Sequence, residues 1–406
     1  GQPPPHRNAH MPPLLATAGD DGVALWDGGA VARRRFSPHA AQVSALRWTA
    51  NDRVLASSSH DGSVVLSERD GSLFDTLRPQ ARGPDGPAPV LSVTWSPASR
   101  YLASGSADAL VRIFDLQKRE HALTLRGHRA GVCALSWSPS EVHVASASTA
   151  GDVIVHRVQG SVAAVCRADT APPGARGDHA VRGLHWSPFH PTKLATGSED
   201  GVVSLWETAA PLRGGSHAAG AAGLPRAVQL HKFEAHSAAC CGVAWSAVNH
   251  HLLVSAAADG SIVFYDTTRL AVVRTLCSDQ SFTSLTFAPD GLHLACGAAD
   301  GSACIFDLRS SDDSPLWSTR AHDGPVTAMA FQRASGAESP GGGGGSDAPQ
   351  TPVAELSPAA AERVARGGYR VASRAVPATP LLRPAAGVSD ATKDGSVLPG
   401  ALGGPK

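Results

Sequence analysis

The residues of this sequence that could carry out chemistry are a histidine, a hydroxyl side chain and a carboxylate that recur together. In one copy they are His179, Thr196 or Ser198, and Asp200, and Trp206 follows. A hydroxyl activated by a histidine, with an acid behind it, is the arrangement of a nucleophilic hydrolase. Such a site needs an exposed nucleophile, so a hydrolase that uses the His179 set is one hypothesis for this chain.

A second copy of the set is divided between the two ends of the chain. It comprises His322, Thr17, Asp20 or Asp21, and Trp26. A catalytic site is not expected to repeat with the same spacing, whereas buried polar side chains need hydrogen-bond partners in every repeat of a structure. The repetition therefore favours structural networks, in which a His precedes an inner strand and bonds to a second strand, a turn and a third strand.

These residues lie in a unit of roughly forty to sixty residues that recurs along the chain. Its clearest copy, residues 181–207, reads VRGLHWSPFHPTKLATGSEDGVVSLWE. It contains three strand patterns, which end in an aromatic with Ser-Pro, in a Ser-x-Asp-Gly turn, and in Trp with an acid. Seven such units, each with a weaker outer strand, predict an all-β, seven-bladed WD40-type β-propeller with four strands in each blade.

The order of the strand patterns predicts how the ring closes. The first patterns, from residue 14 to residue 36, are the second, third and outer strands of a blade, and the last pattern is an inner strand at 326–331. One blade is therefore expected to combine both ends of the chain, which removes exposed sheet edges. The predicted inner strands are 43–48, 90–95, 132–137, 181–186, 240–245, 282–287 and 326–331.

Composition changes abruptly on both sides of the repeats. We predict a disordered segment at 1–13, the propeller at 14–333, and a low-complexity disordered tail at 334–406 that contains GGGGGS and scattered Pro and Ala. In the tail, four hydroxyl residues precede a proline and are candidate sites for proline-directed kinases: Ser339, Thr351, Ser357 and Thr379.

Charge and cysteine content exclude several classes of function. Lys plus Arg and Asp plus Glu are 35 each, so nothing favours binding to nucleic acid or to an anionic membrane. The seven cysteines form no CxxC pair, and we expect reduced thiols, no metal site and no cofactor. No Walker loop, GxSxG elbow or kinase motif occurs, so neither an enzyme nor a small-molecule substrate is expected.

Two arginine features are candidate partner contacts. Arg33, Arg34 and Arg35 form the one dense basic run, which is either a solvated outer strand or a contact for an acidic partner. The sequence FDLR, which ends at Arg309, resembles the Trp-Asp-x-Arg box of substrate receptors for cullin-type ubiquitin ligases. A cullin-linked receptor is therefore a second hypothesis, and the alternative for Arg309 is a solvated strand-end residue.

The irregular blades, taken in order, resemble a known family. LLATAGDDGVALWD, LVRIFDLQKREHALTLRGHRAGVCALSW, GDVIVHRV and FAPDGLHLACGAADGSACIFDLR are together similar to the WD-repeat domain of the GCP-WD (NEDD) family, over about residues 14–333. The resemblance implies a non-enzymatic targeting adaptor of cytoplasm and cytoskeleton. In that family the propeller localises to centrosomes, spindle microtubules and augmin, and a C-terminal helical segment binds the γ-tubulin ring complex for microtubule nucleation in mitosis.

One departure from the family limits what the resemblance implies here. No sustained helical apolar period follows Phe331. We therefore expect this sequence to provide the targeting half of such an adaptor, without the helical segment that binds the ring complex.

Overall fold

Apolar residues that alternate with polar ones along short segments bounded by Gly, Asp and Ser-Pro form strands throughout this chain. The computed structural model describes residues 14–27, 32–78, 82–83, 86–158, 162–166, 179–208, 227–310 and 313–333. The chain divides into two units, Gly1–Gly344 and Gly345–Lys406, and every described residue belongs to the first. Within the described ranges all regular elements are β-strands.

The strands are grouped below by blade and numbered in chain order. Blade one has β1 (Leu15–Gly19), β2 (Gly22–Trp26), β3 (Ala32–Phe36) and β30 (Ala328–Phe331); blade two has β4 (Val43–Trp48), β5 (Val54–Ser59), β6 (Val64–Glu68) and β7 (Leu73–Leu77); a short hairpin has β8 (Arg82–Gly83) and β9 (Gly86–Pro87); blade three has β10 (Val90–Trp95), β11 (Tyr101–Ser106), β12 (Val111–Asp115) and β13 (Glu120–Leu125); blade four has β14 (Val132–Trp137), β15 (His143–Ser148), β16 (Val153–Arg157) and β17 (Val162–Cys166). Blade five has β18 (Val181–Trp186), β19 (Lys193–Ser198), β20 (Val202–Glu207) and β21 (Val228–Glu234); blade six has β22 (Cys240–Trp245), β23 (Leu252–Ala257), β24 (Ser261–Asp266) and β25 (Ala271–Cys277); blade seven has β26 (Phe282–Phe287), β27 (His293–Ala298), β28 (Ser302–Asp307) and β29 (Trp317–Arg320).

Seven four-stranded antiparallel sheets confirm the predicted seven-bladed all-β propeller. Two details differ from the prediction. The connection between blades two and three, for which no strand was predicted, contains the β8–β9 hairpin, and the last inner strand begins at Ala328 rather than at residue 326. Residues 1–13 and 334–406, predicted to be disordered, lie outside the described residues, as do Ser339, Thr351, Ser357 and Thr379.

The predicted closure of the ring by both chain ends is also confirmed. The sheet of blade one has the order β3-β2-β1-β30, so its inner strand comes from the far end of the sequence. Leu15 pairs with Phe331, and Thr17 pairs with Met329. Two further backbone bonds flank the strand, because the Thr327 amide donates to the Ala18 carbonyl at 2.8 Å and the Gln332 amide donates to the Leu14 carbonyl at 2.8 Å.

The inner strands of blades two to seven share a β-bulge at their second residue. The register with the neighbouring strand shifts between the first and third residues, for example between Val43 and Ala45 and between Phe282 and Ser284. A bulge re-aims the extra residue away from the regular pleat. Here the bulged residues line the axial channel, and they are Ser44, Leu91, Cys133, Arg182, Cys241 and Thr283.

Several channel-lining side chains hydrogen-bond one blade to the next. Each donor reaches a backbone carbonyl at or just before the start of the next blade's inner strand. The four bonds are Ser44 Oγ to Val90 at 2.6 Å, Cys133 Sγ to Val181 at 3.2 Å, Thr283 Oγ1 to Val326 at 2.6 Å, and Thr327 Oγ1 to Val43 at 2.5 Å. Arg182 instead turns to Glu199 of its own blade, with its Nε 2.7 Å from Oε1. The bulged residues therefore link neighbouring blades at three of these seams, and Thr327 links blades one and two at the fourth.

The pairing of β30 with β1, which we call the clasp, gives the first testable prediction. A chain that ends at Arg320 lacks β30 and the His322 side chain, and so leaves β1 with an unpaired buried edge. We expect this truncation to unfold or aggregate, whereas a chain that ends at Arg333 should keep the melting temperature of the full sequence. Circular dichroism melts and size-exclusion chromatography measure both. Equal stability of the two truncations would contradict the clasp.

Candidate functional site

The predicted polar set of blade one forms a connected network. His322 Nε2 lies 2.8 Å from Thr17 Oγ1, which also accepts a hydrogen bond from Trp26 Nε1 at 2.9 Å. The other ring nitrogen, Nδ1, is hydrogen-bonded to Asp21 Oδ1. Since an ionised carboxylate only accepts, the neutral imidazole carries its proton on Nδ1 and accepts from the Thr17 hydroxyl at Nε2.

Of the two acids proposed for this network, Asp21 joins it and Asp20 does not. Asp20 lies at the surface, where its Oδ1 accepts from Gln42 Nε2 at 2.5 Å. His322 is 3% exposed and Thr17 is fully buried. Burial lowers the pKa of His322, although the Asp21 carboxylate opposes that shift. The histidine is therefore held neutral between the two ends of the chain.

In blade five the predicted set separates into two pairs. Trp206 Nε1 donates to Thr196 Oγ1 at 2.9 Å in the core. Ser198 Oγ donates to Asp200 Oδ1, which also accepts from the Val202 amide at 3.2 Å. Such side-chain to backbone bonds are local turn chemistry. Ser198 and Asp200 therefore fix the turn, and Thr196 anchors the tryptophan.

The predicted role of His179 requires correction. Its side chain is exposed, and it makes no hydrogen bond to any residue that the structure describes. In the blades that have a histidine network, the histidine lies four residues before the start of the predicted inner strand, as His322 does before Val326. His179 lies two residues before Val181, which is too short a connection to turn its ring back beneath the strand.

Two further histidine networks, which the same four-residue spacing marks, were not predicted from the sequence. In blade two, His39 Nδ1 lies 2.9 Å from Ser63 Oγ, and His39 Nε2 lies 2.8 Å from Ser57 Oγ. In blade six, His236 makes the same two contacts at 2.6 Å, with Ser261 and Ser255. Both blades lack the tryptophan of the pattern, which concealed them. In blade six the Tyr265 hydroxyl replaces it, 2.8 Å from Ser255 Oγ.

Blade four has an incomplete network with two buried histidines. His128 Nε2 lies 2.7 Å from Ser146 Oγ, and Ala150 stands where the other networks have an acid. The ring centroids of His128 and His156 are 6.3 Å apart, and neither His128 Nδ1 nor His156 Nε2 has a hydrogen-bond partner among the described residues. His156 is buried, at 2% exposed, and its Nε2 has no hydrogen-bond partner in the described ranges. Burial lowers the pKa of each histidine to about 4.

The geometry of these networks does not suit nucleophilic chemistry. Four of the five hydroxyls next to a network histidine in blades one, two and six are buried or nearly so: Thr17 0%, Ser57 1%, Ser63 9% and Ser255 0% exposed. The fifth, Ser261, is partly buried. A substrate carbonyl could not reach the four buried oxygens without opening the blade. In the described ranges, no group of three or more His, Cys, Asp or Glu side chains is arranged to hold a metal ion, and no helix is long and apolar enough to cross a membrane.

The structure separates the candidate contact arginines. Arg33, Arg34 and Arg35 all line a groove between the outer strands of blades one and seven, whereas Arg309 lies elsewhere. The Nε of Arg34 lies beside Gly71 of blade two, 3.1 Å from where a Cβ of that glycine would stand. Arg309 is held by its neighbour, because its Nε and Nη2 donate to the two carboxylate oxygens of Asp307 at 2.9 and 2.8 Å. That bidentate bond holds the pKa of Asp307 below its usual value.

Comparison with known proteins distinguishes this propeller from others of the same fold. Human Protein NEDD1 is 28% identical over 322 residues, which cover 78% of this chain and 44% of that protein. This chain is a WD-repeat protein similar to Protein NEDD1. The mouse and bovine NEDD1 proteins match over the same length, also at 28% identity. The chain thus spans less than half the length of the NEDD1 proteins that it matches.

Broader matches agree with the fold. The WD domain, G-beta repeat family matches residues 31–66, 78–115 and 119–156, and the Nucleolar protein 10-like, N-terminal domain family matches 177–339. "Cell division cycle 20.6, cofactor of APC complex" from Arabidopsis thaliana is 28% identical over 210 residues, which cover 50% of this chain and 44% of that protein. The solved structure described as "Crystal Structure of Mitotic Checkpoint Complex" has a TM-score of 0.60 at 21% identity, covering 81% of this chain and 88% of that one. At that identity the likeness concerns the fold alone.

A pair of alanine substitutions tests which histidine supports the ring. We expect His322→Ala to lower the free energy of unfolding by about 1–3 kcal/mol, because it leaves Thr17 and Asp21 without their partner. His179→Ala is the matched control and should change it by no more than about 0.5 kcal/mol, as for an ordinary surface site. Urea unfolding measures both. Equal losses of unfolding free energy in the two variants would contradict a stabilising role for the His322 network.

Buried neutral histidines predict a loss of stability in acid. The pKa values of His128 and His156 in the folded chain lie below the unfolded value of 6.5. At high pH both histidines are neutral in the folded and in the unfolded chain. As the pH falls below 6.5, the unfolded chain binds protons that the folded chain does not, so the free energy of unfolding decreases. Each such group should cost roughly 2 kcal/mol between about pH 7 and pH 5.

The variant His156→Phe removes one of these groups and its unpaired nitrogen. It should therefore lose less stability between those pH values than the parent chain does. Urea midpoints at each pH measure the difference. A pH dependence identical to that of the parent chain would contradict the assignment.

Proposed function

We propose that this chain is the targeting part of a non-enzymatic WD-repeat scaffold that acts at the centrosome and on spindle microtubules. On this proposal its propeller binds centrosomal proteins, augmin and the γ-tubulin recruitment machinery, and thereby places microtubule nucleation during mitosis. The protein would act in the cytoplasm, on the cytoskeleton. Its partners are proteins, and no small-molecule substrate, nucleic acid or membrane enters the proposed mechanism.

The observation that carries the proposal is the continuous match to Protein NEDD1. It extends over 322 residues, about the length of the whole propeller, at 28% identity. A match that followed only the general WD pattern would favour single blades. The family resemblance described above supplies the centrosomal role, and because the matched region is 44% of the human relative, that role is proposed for this chain as part of a larger function.

The structure supports a docking role through what it keeps buried and what it exposes. The hydroxyls of Thr17, Ser57 and Ser255 are enclosed within blades, so the surfaces left for partners are the rims and the outer strands. Large apolar side chains are exposed there, among them Leu73 at 68% and Phe74 at 52% on the outer strand of blade two. Exposed apolar side chains that lie next to each other are typical of protein contact surfaces.

The alternative function is a substrate receptor for a cullin-type ubiquitin ligase, with Arg309 as its contact. Arg309 keeps half of its side chain exposed, at 50%. Its guanidinium is nevertheless occupied by the bidentate bond to Asp307, which accounts for the residue as a local strand-end clamp. A partner would have to compete with that carboxylate, so the scaffold is the function that we prefer.

Affinity purification of the tagged chain from mitotic cells, followed by mass spectrometry, separates the two functions. We expect augmin subunits and centrosomal proteins to co-purify, and the Arg309→Ala variant to recover them equally well, because among the described residues the Arg309 guanidinium bonds to its own Asp307. Microscopy of the same tagged chain should show it at spindle poles. Recovery of a cullin adaptor that is lost in Arg309→Ala, without centrosomal proteins, would favour the alternative.

A further inference from the structure

A shallow groove lies where the outer strand of blade one, β3, meets the outer strand of blade seven, β29. It has a volume of about 510 Å³ and is lined by Trp26, Ala32, the run from Arg33 to Arg35, Thr319 and Arg320. This is the seam at which the ring closes, so its two banks come from opposite ends of the sequence. The arginines of β3 and Arg320 of β29 therefore line one groove only in the closed ring.

The arginines of this groove are poorly neutralised by the protein itself. Arg33 lies 3.6 Å from Asp27, and both side chains are largely exposed, at 59% and 69%. Arg35 lies 3.7 Å from Asp21, a carboxylate that is already hydrogen-bonded to His322. Arg320 makes long bonds to the carbonyls of His322 and Asp323, at 3.5 and 3.3 Å, and has no carboxylate within 4.0 Å among the described residues.

The neighbouring seam shows the contrast. Between the outer strands of blades six and seven, Arg274 Nη2 lies 2.9 Å from Asp313 Oδ1, so that guanidinium has its own counter-charge. Exposed pairs of this kind are weak in stability terms, yet they remove a free cation from the surface. No equivalent acid faces Arg320 in the described part of the blade seven–one seam. Of these two seams, the one between blades seven and one therefore presents positive charge to the solvent.

The groove has a rigid aromatic wall. Trp26 and Trp317 meet edge to face, with ring centroids 5.4 Å apart and an interplanar angle of 66°. The guanidinium of Arg35 lies over the Trp26 ring, 5.5 Å from its centroid, and donates to the Ala321 carbonyl at 2.7 Å. A guanidinium held on a ring in this way keeps its remaining N–H groups directed to a ligand at little entropic cost.

We propose that this seam is a docking site for an acidic peptide segment of a partner protein. Carboxylates of the segment would bind Arg33 and Arg35 on one bank and Arg320 on the other, in the planar, two-point geometry that guanidinium groups favour. Charge complementarity carries the assignment, because the chain as a whole has no net charge, whereas four arginines line this groove and only the ion pairs with Asp21 and Asp27 oppose them among the described groove contacts. The site does not depend on the proposed centrosomal role.

A binding measurement with a labelled peptide of about ten glutamates tests the site, with a glutamine peptide of equal length as the ligand control. Fluorescence anisotropy should show binding of the glutamate peptide that weakens as salt rises from about 50 to about 200 mM, since exposed charges are screened. The double variant Arg33→Glu/Arg320→Glu should weaken that binding about tenfold or more. Arg320 makes a long bond to the His322 carbonyl, but neither arginine bonds to the His322 ring, Thr17 or Asp21, so circular dichroism melts should match the parent chain.

A charge-matched variant, Arg53→Glu/Arg126→Glu, controls for net charge. Both residues are exposed and lie outside the groove. Its affinity should stay within about twofold of that of the parent chain. The proposal is overturned if the parent chain does not bind the glutamate peptide, or if the control loses as much affinity as the groove variant. A phosphoserine peptide that binds where the glutamate peptide does not would also overturn it, because the recognised group would then be phosphate.

Discussion

The pairing of β30 with β1 is the constraint on which the rest of this molecule depends. It joins the last described segment of the chain to the first described segment. This pairing brings His322 into hydrogen-bonding distance of Thr17 and Asp21. The same end of the chain also holds blade two, because Gln332 Nε2 donates to the Asp52 carbonyl at 2.8 Å and the Arg333 amide donates to the Asp52 carboxylate at 2.7 Å. Closure is thus made at two seams rather than at one.

Most of the architecture follows from the sequence because a strand pattern of period two, repeated seven times, leaves few ways to bury its apolar faces. The observed inner strands at 43–48, 90–95 and 132–137 coincide with the prediction. Closure was equally visible, since an inner strand at the end of the chain has no other partner. These features depend on the pattern of apolar residues, which every blade carries.

The site was less predictable, because its geometry depends on single residues. His179 matches the pattern by residue type, but it lies two residues too close to its strand, and no count of residue types reveals that difference. The networks of His39 and His236 were hidden because Ser67 and Tyr265 stand where other blades have tryptophan. The bulges leave no break in the apolar pattern, so the channel-facing role of Ser44 or Thr283 could not be inferred from it.

The adjacency of Leu14 and Gln332, joined by a backbone hydrogen bond of 2.8 Å, has a topological consequence. For the folded ring, the position at which the polypeptide starts is arbitrary. A circular permutant that links these two residues by a short bridge and opens the chain at another surface connection would have the same seven sheets in the same cyclic sequence. In that permutant, however, the four strands of blade one would be contiguous in the sequence. The order in which the strands are synthesised would therefore change, while the arrangement of the seven sheets would not.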